Sequence, residues 1–126
     1  MQINLRDELP FISAKIENDG QTIIIPNVLI DTGSATSMFS ADLLAEVGIH
    51  PQPDDTLHTV RGVGGIEVVF LRRVDKLIIG EKTIHGFEIE VGGMDYGFAV
   101  DGILGMNFLM PFGAVIDLKS LTIEVI

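Results

Sequence analysis

Asn18-Asp19-Gly20 divides two β-rich runs, residues 11–17 and 21–25, and it sets the pattern for most of the chain. These three residue types accept the positive φ of tight turns, so the segment reads as a hairpin. The same punctuation recurs: residues 56–61 and 66–72 flank Gly62-Val63-Gly64-Gly65, and a third hairpin turns at Gly80-Glu81. A strand over 87–91 ends at Gly92-Gly93, and two terminal strands, 114–118 and 121–126, flank Lys119-Ser120. Helical signals are few. Ser40 can cap a helix over 41–47, in which Leu43, Leu44 and Val47 share a face and Gly48 marks the end, and a short helical patch precedes Pro111. His50-Pro51-Gln52-Pro53-Asp54-Asp55 is a loop. The expectation is a mostly β chain with one main short helix and no interdomain linker.

At 126 residues there is room for one domain with a real core, over residues 1–126, but not for two full lobes. A composition 47% hydrophobic and 21% charged lies far from the signature of disorder. The formal charge of -10, with no Lys/Arg run to displace counterions from phosphate, argues against nucleic acid and against strongly acidic substrates. With no cysteine, disulfides and thiolate metal sites are excluded. No membrane span is expected, because the apolar stretch over 23–30 is broken by Pro26 and Asn27. The first eight residues lack a basic leader and a long apolar core, which makes a cytoplasmic location the expectation unless a leader has been removed.

Val28-Leu29-Ile30 is a short continuous apolar run that leads directly into Asp31-Thr32-Gly33-Ser34. An aspartate at the tip of a buried strand is held rigidly, and Gly33 lets backbone N–H groups reach its carboxylate. Thr32 and Ser34 add hydroxyls. Taken alone, such a segment is more often a plain turn than a catalytic site. Gly62-Val63-Gly64-Gly65 misses the spacing of a phosphate loop and leads into a strand. His50, His58 and His85 are scattered without ligand spacing, so no metal site is expected. The outline of apolar strand, glycine-bearing turn and helix over 28–47 recurs faintly over 98–110, a hint of internal duplication. Asp101 sits in that second copy, but Gly102 follows it directly, so a turn or backbone-bonding role is expected.

In combination these segments resemble the retropepsin-like aspartic proteases: an apolar strand into Asp-Thr-Gly-Ser (28–34), a helix (40–47), a glycine-tipped flap (60–68), then Ile103-Leu104-Gly105. The likeness covers most of the chain and is strongest with cellular and bacterial members, on residues 101–109. It implies a closed β-barrel lobe with a flap hairpin, and a homodimer in which Asp31 of each subunit is catalytic and no metal or cofactor is needed. By the same resemblance Thr32, Gly33 and Ser34 support the active site. Val63, Gly64 and Gly65 form the flap over a polypeptide substrate, and Ile103, Leu104 and Gly105 back the catalytic loop. Ile3, Leu5, Ile123 and Val125 give both termini a strand pattern; family members commonly interleave such strands between subunits, and pairing within the chain is the alternative. Viral substrate preference does not carry over, because Ala35-Thr36 stand where viral members have acidic residues and Met106 where they often have Arg. The functional expectation is a homodimeric aspartic endopeptidase; the alternative is a catalytically silent or latent module that dimerises or binds extended peptides.

Overall fold

A computed structural model describes residues 1–62 and 65–126. The first hairpin joins β2 (Leu9–Asn18) to β3 (Gln21–Ile30). Asp19 and Gly20 form its two-residue turn at φ of 50° and 76°, the paired left-handed geometry whose twist matches that of the flanking strands. The apolar run that ends at Ile30 is the last part of β3 and not a separate strand. Between the pairs Ile12↔Val28 and Ala14↔Ile25, the single residue Ser13 faces both Pro26 and Asn27. A bulge at this point accommodates a proline that has no N–H to give to the ladder.

The remaining elements are β1 (Asn4–Arg6), β4 (Met38–Ser40), α1 (Ala41–Ala45), β5 (Leu57–Gly62), β6 (Gly65–Arg73), β7 (Lys76–Ile79), β8 (Lys82–His85), β9 (Glu88–Gly92), β10 (Gly102–Leu104), α2 (Met106–Leu109), β11 (Val115–Asp117) and β12 (Thr122–Glu124). The main sheet runs β5-β6-β9-β4-β10-β3-β2-β7-β8, with β1 on β2. Its β6·β9 and β7·β8 ladders join around a corner. Val74 N–H donates to Phe87 O (3.1 Å) and Gly86 N–H to Asp75 O (3.2 Å), which carries the β6·β9 ladder into the β7·β8 ladder. Because β9 also pairs with β4 and β7 with β2, the pairing returns on itself and closes the barrel.

Inside the barrel lies the large core, including Ile12, Ile16, Ile25, Val28, Phe39, Leu104 and Phe108. Strand alternation fills it: Ile12, Ala14 and Ile16 are buried, whereas Ser13 and Lys15 are exposed. The opposite face of the same strands carries a smaller cluster, Phe11, Met38, Val69, Met94 and Val100, against which Leu29 and Ile103 pack. Helix α1 is shorter than 41–47. Ser40 Oγ accepts from Leu43 N–H at 3.4 Å, and beyond Ala45 the chain tightens to bonds three residues back before Gly48 turns at φ 79°. Both termini pair within the chain: Ile3 N–H donates to Leu121 O (2.8 Å), Ile123 N–H donates to Met1 O (2.9 Å), and β12 pairs with β11. Among the described residues no helix is long and apolar enough to cross a membrane.

Candidate active site

Asp31 follows the last residue of β3, and β10 runs parallel beside it with Leu104 opposite Ile30. Asp31 N–H donates to Leu104 O at 3.0 Å, so the end of β10 fixes the start of the loop. Ser34 N–H then donates to Asp31 O (3.2 Å), which closes a turn with Thr32 and Gly33 at its tip. Within that turn Gly33 N–H donates to Asp31 Oδ1 at 2.9 Å. A Cβ at Gly33 would stand 3.2 Å from the same oxygen, so the close approach that makes this bond leaves little room for a side chain. Asp31 is half-buried, and Thr32 and Gly33 are exposed.

The loop is braced from behind. Ser34 Oγ donates to Thr36 O (2.8 Å) and so faces its own loop instead of the carboxylate. Ser34 O and Ala35 O accept from Met106 N–H (2.7 Å) and Asn107 N–H (3.1 Å) at the start of α2. Gly105 makes this docking possible, since a Cβ there would fall 2.0 Å from Thr36 O and 2.7 Å from Ser34 O. Two residues outside the sequence expectation complete the brace. The buried Ser37 accepts from Gly105 N–H (3.0 Å) through Oγ and donates to Asn107 Oδ1 (2.7 Å). Asn107 carried a signal as the polar member of the 101–109 segment, but nothing local marked Ser37.

Asp101 lies just before the other end of β10, where Gly102 pairs with Val28, away from the turn that carries Asp31. Its N–H donates to Asn27 O (2.8 Å) and its Oδ2 accepts from Asn27 Nδ2 (2.7 Å). Asn27 Oδ1 in turn accepts from Arg6 Nη1 (2.8 Å), while Arg6 Nη2 donates to Ala99 O and the guanidinium lies 4.1 Å over the Phe11 ring. The bulge at Pro26 and Asn27 thus locks the register of β3 and β10 beneath Asp31.

Above this floor, the β5–β6 hairpin pairs down to Gly62↔Gly65. Of the expected flap residues Gly65 opens β6, whereas Val63 and Gly64 lie outside the described residues. At the hairpin's far end Arg72 Nη2 holds both Asp55 oxygens, at 2.8 and 2.9 Å. That guanidinium keeps the Asp55 carboxyl below the usual carboxylate range, with the Gln52 N–H adding to the effect against partial burial. His50, His58 and His85 are all exposed.

The barrel is similar to the crystal structure of a retropepsin-like aspartic protease from Rickettsia conorii, with a TM-score of 0.68 and 23% identity over 95% of this chain and 92% of that one. No curated protein matches the chain. A family model described as aspartyl protease matches residues 12–108, from the first hairpin through the flap hairpin to α2. That match takes in most of the chain and every element that holds the Asp31 loop, and on it the chain belongs to the aspartyl protease family.

Proposed function

We propose that the protein is a homodimeric aspartic endopeptidase whose active site is a dyad of Asp31 and Asp31 of a second copy. The observation that carries this reading is the state of the two aspartates at the ends of β10. Asp31 has one oxygen held by Gly33 N–H and an exposed turn around it, whereas Asp101 is committed to Asn27. The chain therefore offers one such carboxylate, and an isologous partner supplies the other.

In the dyad, two carboxyl groups about 3 Å apart share one proton, because both cannot stay ionised at that separation. The ionised carboxylate takes a proton from a bound water as that water attacks the scissile carbonyl, and the protonated one gives its proton to the developing oxyanion. Collapse of the tetrahedral intermediate reverses the roles and protonates the leaving amine. Neither a metal nor a covalent enzyme intermediate enters these steps. Thr32 braces the two turns against each other across the two-fold axis, and Ser34, Ile103, Leu104 and Gly105 hold each loop from behind. The flap role falls to Val63, Gly64 and Gly65, over an extended polypeptide that lies on the apolar face formed by Leu29, Ile103 and Met38.

Sedimentation across concentration, with pepstatin-sensitive cleavage of a mixed peptide library recorded in the same samples, tests the reading. Asp31→Asn should keep the dimer and lower cleavage by about a thousandfold, within the range expected for loss of a general acid–base group. Cleavage retained by that variant would overturn the assignment.

A further inference from the structure

Side chains of β9 alternate between two environments: Ile89 and Val91 enter the large core, and Glu90 faces the opposite side with Met38. Glu90 is a carboxylate with only 3% exposure. Among the described residues its side chain has no hydrogen-bond or ion-pair partner; the ion pairs there join Arg72 to Asp55, Arg73 to Glu88 and Lys76 to Glu17. No side-chain oxygen of the described residues is both sealed from solvent and unbonded. A second carboxylate stands close by. Glu67 Oε1 accepts from Gly93 N–H at 2.6 Å and lies 3.1 Å from where a Cβ of Gly92 would be. In the loop after β9 the Tyr96 hydroxyl is pushed upward in pKa first by burial and then by the charges of Glu67 and Glu90.

A buried carboxylate without a partner is costly, and a second carboxylate beside it adds to the cost; a cation relieves both. The position of this pair says where that cation would come from. Sheet register sets Leu29, Ile103, Met38 and Glu90 in one row across adjacent strands, on the face that carries the smaller apolar cluster. At about 4.8 Å per strand, Glu90 lies roughly 14 Å across the sheet from Leu29, a distance that about four residues of extended peptide cover. A long basic side chain can follow this face on its methylenes and bring its charge to the carboxylates.

We propose that Glu90 and Glu67 form a cation-selecting subsite that takes a Lys or Arg side chain of an extended substrate, within about four residues of the scissile bond. The proposal rests on the proteolytic reading for its substrate. The net charge of -10 would favour the approach of such basic segments over long range.

The test uses binding as well as cleavage. Full-length Asp31→Asn protein, as a non-cleaving trap, is titrated with labelled decapeptides in which one Lys is moved stepwise through an otherwise apolar sequence with Met as its replacement. Wild-type cleavage of the same set is measured in parallel. Lys at one position, or at two neighbouring ones, should tighten binding by about tenfold or more, the scale of a close desolvated charge pair. Adding Glu90→Gln should abolish that gain and Glu67→Gln should reduce it, with the all-Met peptide bound as before. If Glu90→Gln does not fold, the half-buried Glu67→Gln carries the comparison. A flat Lys profile, a preference that survives both substitutions, or no peptide binding at all overturns the subsite. Glu90-dependent Lys binding without any wild-type cleavage would support the subsite and sink the proteolytic reading; cleavage with a flat Lys profile would do the reverse.

Discussion

In the proposed dyad Asp31 can act only while its carboxylate stays where Gly33 and Leu104 hold it, and that depends on Gly105 having no side chain. A methyl group at 105 would meet the Thr36 carbonyl at 2.0 Å, a contact with backbone that no rotamer change relieves. Gly105→Ala is expected to cost about 3 kcal/mol or more of stability, as overpacking against a rigid neighbour does, and to show as a lowered denaturation midpoint. Asp55 gives a pH-dependent counterpart. Its folded-state value is depressed by Arg72, so its contribution is complete above the unfolded carboxylate value near about 4 and is lost as pH falls through the folded one. Asp55→Asn should therefore lower the melting temperature at about pH 7, with the gap to wild type closing towards about pH 3. Asp31 and Gly33 stood out locally, as a carboxylate at a strand tip with a glycine two residues on, whereas Gly105 was placed behind the loop only by the family resemblance. Ser37 had no such signal: its role depends on Gly105 and Asn107, which are brought to it by a fold that no local pattern encodes.

Among elements, the pairing of β3 with β10 decides where the Asp31 loop sits, and Arg6 is the tie that reaches both. It bonds Asn27 in the bulge of β3 and Ala99 before β10, from a strand at the chain's start. Arg6→Met keeps the stem over Phe11 but removes both bonds. Loss of a charged donor from such a network is expected to destabilise the protein by about 2 kcal/mol, and hydrogen exchange should quicken at the amides of Asn27 and Asp101 ahead of those inside the barrel. Hairpins were the most readable elements, since Asp19-Gly20 and Gly80 bring their own turn geometry. Pro26 misled in one respect. It looks like a break between two strands, and it becomes a bulge in one strand only because Ser13 of β2 supplies the register opposite it. Barrel closure was even less accessible to a local reading, as it depends on β2 meeting β7 and β4 meeting β9 across long stretches of chain. The expectation of a closed lobe came instead from the family resemblance.

For the molecule as a whole, the account turns on whether two copies build one site. The chain pairs its own termini, and Val115, Leu118 and Ile126 are left exposed by 57%, 66% and 82%. With a site shared between copies, activity should fall faster than protein concentration on dilution, and sedimentation should show the dimer fraction falling in parallel. The most direct measurement is a subunit-mixing titration, in which wild type is equilibrated with increasing Asp31→Asn at fixed total concentration and peptide cleavage is followed. If the dyad needs one Asp31 from each copy, mixed dimers are inactive and the rate falls as the square of the wild-type fraction. A rate that falls linearly with that fraction would mean that each chain carries a complete site, and would contradict the shared dyad.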